Sequence, residues 1–72
     1  MPLSMIREGA RAVLRSIGGG RNLRGRLAAL GLIPGAEVMV LRNGGGGGPF
    51  VVAVNNARIC LGRGMAMKIE VE

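Results

Sequence analysis

No apolar stretch of this chain runs for more than a few residues before glycine, proline or a pair of asparagines interrupts it. Gly18-Gly19-Gly20, Pro34-Gly35, Asn43 with glycines 44–48, Pro49, Asn55-Asn56 and Gly62 fall at close intervals. These residues supply the positive or preset φ angles that turns require. The pieces between them have room for short strands and one short helix. Short strands at close spacing with tight turns predict a small barrel. Closing about five strands on themselves also removes exposed sheet edges.

The individual pieces follow. Ser4 to Arg7 is a short turn ending at Glu8-Gly9, and Arg11 to Ile17 is the first strand. Asn22 is a good helix N-cap residue. Leu23, Leu27 and Leu30 follow at i, i+4 and i+7 and share one helical face. Gly31 is the expected left-handed stop, with Leu32 beyond it placed for the hydrophobic contact of a Schellman ending. Gly25 weakens this helix by about 1 kcal/mol relative to Ala, so tertiary packing must hold it. Pro34-Gly35 predicts a type II turn. Glu37 to Arg42, Pro49 to Val54 and Ala57 to Leu61 are strands, the last two joined by an Asn55-Asn56 hairpin turn. Residues 62–67 are irregular or a single turn, and Lys68 to Glu72 closes the chain as a strand with Ile69 and Val71 inward. The fold class is mainly β: one small barrel domain of about five strands over residues 1–72, with a short α-helix inserted after the first strand.

Chemistry is scarce. Among 72 residues there is no His, Asp, Trp or Tyr, and the carboxylates are Glu8, Glu37, Glu70 and Glu72. Acid–base catalysis draws on His or on paired, environment-tuned carboxylates. Glu70 and Glu72 share a strand face but read as a solvated one. No enzyme activity is expected. Cys60 is the single cysteine, so no intrachain disulfide exists. Its place in the apolar run Ala57 to Leu61 predicts a packed structural thiol. Transition-metal sites use three or four N, S or O ligands, so neither a metal site nor a cofactor site is expected within one chain. The five glycines 44–48 lack the Gly-Lys-Ser/Thr ending of a phosphate loop and lead into a strand. They read as a flexible connection.

The stretch Arg26-Leu27-Ala28-Ala29-Leu30-Gly31-Leu32-Ile33-Pro34-Gly35 resembles the signature of the FeoA family, in which Arg/Lys-Leu, Leu-Gly-hydrophobic and Pro-Gly recur in this order. The wider frame is similar too: Gly9, Pro49, the run Ala57-Arg58-Ile59-Cys60-Leu61, and Ala66 with Ile69 and Val71. The resemblance covers nearly the whole chain. It implies an SH3-like barrel with the helix between the first two strands. It also implies a small cytosolic accessory protein of ferrous iron uptake, acting on the membrane permease FeoB, which carries a cytosolic GTP-binding domain. The chain departs from that family in its glycine run, where many relatives carry apolar or charged residues.

Two surface features bear on partners. The net charge is +6, from ten cationic and four anionic residues. Arg21, Arg24 and Arg26 lie off the leucine stripe and, with Arg11 and Arg15, form either a solvated basic surface, a site for an acidic protein or anionic lipid, or a nucleic-acid contact. Specific nucleic-acid binding is disfavoured, because stacking readers need aromatic platforms and Phe50 is the single aromatic residue. SH3-like domains of this kind do also occur as C-terminal appendages of metal-dependent repressors, which keeps a nucleic-acid-associated module as the alternative. The second feature is apolarity on both faces of three strands. Met39 and Leu41 alternate with Val38 and Val40, Val51 and Ala53 with Phe50, Val52 and Val54, and Cys60 with Ile59 and Leu61. Either the helix and the 62–67 segment cover this second face, or it is a docking patch that Met65 and Met67 join. No apolar run approaches the ~20 residues that span a bilayer, and no signal peptide is evident. The chain is expected in the cytoplasm, touching membrane only through its partner, as a monomer or a weak homodimer.

Overall fold

The computed structural model describes residues 1–44 and 48–72; the middle of the expected glycine connection, residues 45–47, lies outside the described residues. A short 3-10 turn (Leu3–Met5) precedes β1 (Arg11–Ile17), α1 (Arg21–Ala29), β2 (Glu37–Arg42), β3 (Phe50–Val54), β4 (Ala57–Leu61), the four-residue α2 (Arg63–Ala66) and β5 (Ile69–Val71). The strands form one antiparallel sheet in the order β4-β3-β2-β1-β5.

The sheet coils because β1 serves two neighbours. Residues Arg11 to Val13 pair with β2, and Leu14 to Ile17 pair with β5. The register slips between Leu14 and Ser16, so Arg15 and Ser16 both face solvent and Ile17 returns to the interior. Such an extra residue bends a strand and raises its twist. A second slip at Leu41 leaves Leu41 and Arg42 together opposite Val51. The coiled sheet wraps a core that includes Leu3, Leu14, Leu32, Val38, Val40, Phe50, Val52, Ile69 and Val71, each almost fully buried. Burying one such side chain contributes about 1.5–3 kcal/mol. The ion pairs Arg11–Glu37 (3.9 Å) and Arg15–Glu72 (3.7 Å) are solvent-exposed. Exposed pairs of this kind contribute about 0.2–1 kcal/mol, so the core decides stability.

Helix α1 begins earlier than the asparagine cap predicts. Its N-cap is Gly20, without a side-chain hydrogen bond, and Asn22 lies exposed inside the first turn. Gly18 donates its N–H to the Lys68 carbonyl at 2.7 Å and so still belongs to the sheet. Only Gly19, at φ +99°, and Gly20 remain to turn the chain into the helix. The C-terminus is a Schellman ending as expected: Leu32 N–H donates to the Leu27 carbonyl and Gly31 N–H to the Ala28 carbonyl, both at 2.9 Å, with Gly31 at φ +95°. Leu30 is a correction. It is the C-cap, has left helical geometry (φ −93°, ψ 1°) and stands 50% exposed, while Leu32 fills the core beside Leu27. Pro34-Gly35 forms the type II turn, with Ala36 N–H donating to the Ile33 carbonyl at 3.0 Å and Gly35 at φ +92°. Asn55 and Asn56 both adopt positive φ, 51° and 64°, as a two-residue type I′ hairpin requires.

Among the described residues the strands do not close fully on themselves: β4 and β5 do not pair with each other, and the segment carrying α2 links them. The β5 edge is covered instead by the first residues of the chain. Val71 N–H donates to the Met1 carbonyl (2.8 Å), the Met1 amine donates back to the Val71 carbonyl (2.9 Å), and Pro2 bridges Glu70.

Candidate docking surface

Strands β2 and β3 place the outward apolar residues side by side. Met39 lies directly opposite Ala53, and Leu41, the extra residue at the register slip, lies beside Val51. All four are half-buried, and none belongs to the core cluster. Cross-strand pairing extends the row on both sides: Arg11 is opposite Met39 and Arg58 is opposite Ala53. The next row runs Arg42, Val51, Cys60. The outer face is therefore an apolar strip with arginine at its ends. Beside it an open groove of about 310 Å³ is lined by Arg11, Glu37, Met39, Ala53, Asn55 and Asn56, together with Val38 and Val54.

The expected members do not all meet there. Met65 packs against the core from α2, and Met67 is 60% exposed past the end of α2. Arg24 and Arg26 are exposed on α1 and do not line the groove. Neither helix contributes a residue to the lining of the groove beside the strip. Cys60 is exposed rather than packed, because strict alternation in β4 points Ile59 and Leu61 inward and leaves the thiol outside. Alternation along β4 decides this exposure, and the apolar character of the neighbouring residues does not. Sequence reasoning missed Arg58, whose position opposite Ala53 follows from the hairpin register alone.

The charges are unevenly spread. Each carboxylate has a partner: Glu8 accepts from Asn43 N–H (3.2 Å), Glu70 sits 3.1 Å from the Met1 amine, and Glu37 and Glu72 face Arg11 and Arg15. No carboxylate occurs between Phe50 and Lys68, where Arg58 and Arg63 stand. Arg63 donates to the backbone and side-chain oxygens of Asn43, which in turn donates to the Ile6 carbonyl at 2.6 Å. Arg58 forms no ion pair among the described residues. No cluster of three or more His, Cys, Asp or Glu is present among them either. Among the described residues no helix is long and apolar enough to cross a membrane.

A five-stranded coiled antiparallel sheet with one inserted helix and a shallow outer face defines a small SH3-like domain. The FeoA domain profile matches residues 1–72, and the chain belongs to the FeoA family. A protein of Methanocaldococcus jannaschii described as Fe(2+) transport protein A is 35% identical over 71 residues, covering 99% of this chain and 84% of that one. The solution structure of FeoA from Chlorobium tepidum matches with 37% identity and a TM-score of 0.90, over 99% of this chain and 68% of that chain. The FeoA of Stenotrophomonas maltophilia, described as a prokaryotic SH3 domain protein complexed with zinc, matches with 30% identity and a TM-score of 0.84, over 100% of this chain and 89% of that chain. A manganese-dependent transcriptional repressor shares the fold at 25% identity and a TM-score of 0.83, this chain covering 40% of it.

Proposed function

We propose that this chain is a cytoplasmic, non-enzymatic accessory protein of ferrous iron uptake that binds the cytosolic part of a FeoB-like membrane permease. The observation that carries this reading is the apolar strip Met39, Leu41, Val51 and Ala53, kept outside the core by a chain of the FeoA family. Apolar centres with charged rims are how docking surfaces combine affinity with orientation. Arg24 and Arg26 add long-range attraction for an acidic partner without joining the strip. Iron is the permease's cargo in this reading, and the accessory chain does not hold it.

The test is a pulldown with the permease's cytosolic GTPase domain. Leu41→Asp and Val51→Asp are expected to keep the fold by circular dichroism and to lower binding by about tenfold or more. Folded variants that bind like wild type overturn the reading. A second reading, a nucleic-acid-associated module, draws on the likeness to the manganese-dependent repressor and on the +6 charge. Phosphate-dominated binding falls steeply with salt, whereas apolar docking barely changes, so a titration at two ionic strengths separates the two.

A further inference from the structure

The two edges of the sheet are treated differently. On β5 the first residues of the chain take up the outward backbone groups. On β4 nothing does. The two-residue Asn55-Asn56 turn makes Val54–Ala57 the closing hydrogen-bonded pair of the hairpin, and hydrogen-bonded pairs then recur at every second position, Val52–Ile59 and Phe50–Leu61. The intervening residues, Arg58 and Cys60, point their N–H and C=O groups away from β3. Neither residue's backbone takes part in any hydrogen bond outside the hairpin among the described residues. Ala57, Arg58 and Cys60 are all exposed, so no part of the described chain covers this edge.

We propose that β4 is an acceptor for an added strand, and that the occupant is an extended segment of an acidic partner. Pairing with Arg58 and Cys60 places two residues of the incoming strand opposite them, two positions apart and therefore on the same outer face. The residue opposite Arg58 meets a guanidinium without a carboxylate partner; the one opposite Cys60 meets a thiol whose other neighbour is Val51. The segment that fits carries an acidic and an apolar side chain at alternate positions. It extends the row Arg11, Met39, Ala53, Arg58 by one strand, continuous with the apolar strip. Charge selects this occupant over a second copy of the chain. Two β4 strands paired about Ile59 would set each Arg58 opposite a Cys60 and diagonal to the other Arg58 on one face, so neither guanidinium would gain an opposite charge. Strand addition is a common way of capturing extended peptides, with main-chain bonds giving affinity and alternate side chains giving selectivity. This inference rests on the adaptor reading above for the partner's identity and supplies its mode of attachment.

The test uses isotope-labelled full-length protein and the peptide Thr-Glu-Thr-Val-Thr-Glu-Thr, which presents Glu and Val on one face in either direction. The Arg58 and Cys60 amide resonances are expected to move most and to gain protection from hydrogen exchange. The same peptide with Lys for Glu, or N-methylated throughout, is expected to bind at least about tenfold more weakly. Arg58→Glu should reverse the preference between the Glu and Lys peptides. Cys60→Pro removes an outward N–H at an edge position that tolerates proline, and should weaken binding about fivefold or more while the melting curve stays cooperative. If Cys60→Pro unfolds the protein, the methylated peptide carries the same test. Unmoved Arg58 and Cys60 amides, or equal binding of the methylated peptide, overturn the proposal. The permease domain forms the second arm. Binding that survives Cys60→Pro and Arg58→Glu but fails with Leu41→Asp sinks strand addition and leaves the adaptor reading standing. Peptide capture at β4 without any permease binding does the reverse.

Discussion

The inner and outer faces of β2 and β3 are built from nearly the same kinds of residue and end in different environments. Val38, Val40, Phe50 and Val52 are sealed, whereas Met39, Leu41, Val51 and Ala53 remain half-exposed one position away along the same strands. Hydropathy does not separate the two sets; the pleat and the neighbours do. A strand sends alternate side chains to opposite faces, and the coil of the sheet supplies the inner set with partners from β1, β5, Leu27, Leu32 and the 3-10 turn. Among the described residues the outer set lies beside its cross-strand neighbours and outside the core cluster. A chain this short buries a smaller share of its surface than larger domains do, and has few elements with which to provide a second layer on both faces. What remains is an apolar strip available to something else.

Substitutions at adjacent positions should expose this contrast most strongly. Phe50→Ala empties the centre of the inner face and is expected to cost about 3–5 kcal/mol, a large part of the stability of any small domain. Val51→Ala, one residue on, should cost under about 1 kcal/mol, because its site is open enough to need no cavity. Chemical denaturation of the two variants side by side measures the difference, and equal losses would break the comparison between the faces.

A smaller effect is expected where the helix meets the hairpin. Gly31 holds φ +95°, and a Cβ there would lie 2.7 Å from Asn55 Nδ2. Gly31→Ala should therefore lower stability by about 1–2 kcal/mol in a thermal melt, the cost of a left-handed alanine, with any shift of Asn55 added. Gly25→Ala, within exposed α1 and with nothing near its Cβ, should gain about 0.5–1 kcal/mol. Opposite signs at two glycines of one segment would show that backbone conformation at each position sets the effect.

The least effect belongs to the surface ion pairs. Arg15→Ala removes the 3.7 Å contact to Glu72, and the melting temperature should move by little, corresponding to about 0.5 kcal/mol or less, and less again in high salt. A larger loss would mean that the β1–β5 pairing leans on charge as well as on Leu14, Ile69 and Val71.

Residue chemistry was sufficient wherever one local interaction decides the outcome. Positive φ at Asn55, Asn56, Gly31 and Gly35, the Schellman ending, and the type II turn at Pro34-Gly35 all follow from side chains that only a few backbone conformations accept, and the strand segments follow from alternation between those turns. Tertiary structure decided the rest. The cap at Gly20, the outward turn of Leu30, the exposure of Cys60 and the open edge at Arg58 depend on which strand lies beside which, and on how far the sheet holds Gly18 before the helix begins. Those facts arise from pairings between residues distant in the chain, and no short window of sequence carries the register on which they depend.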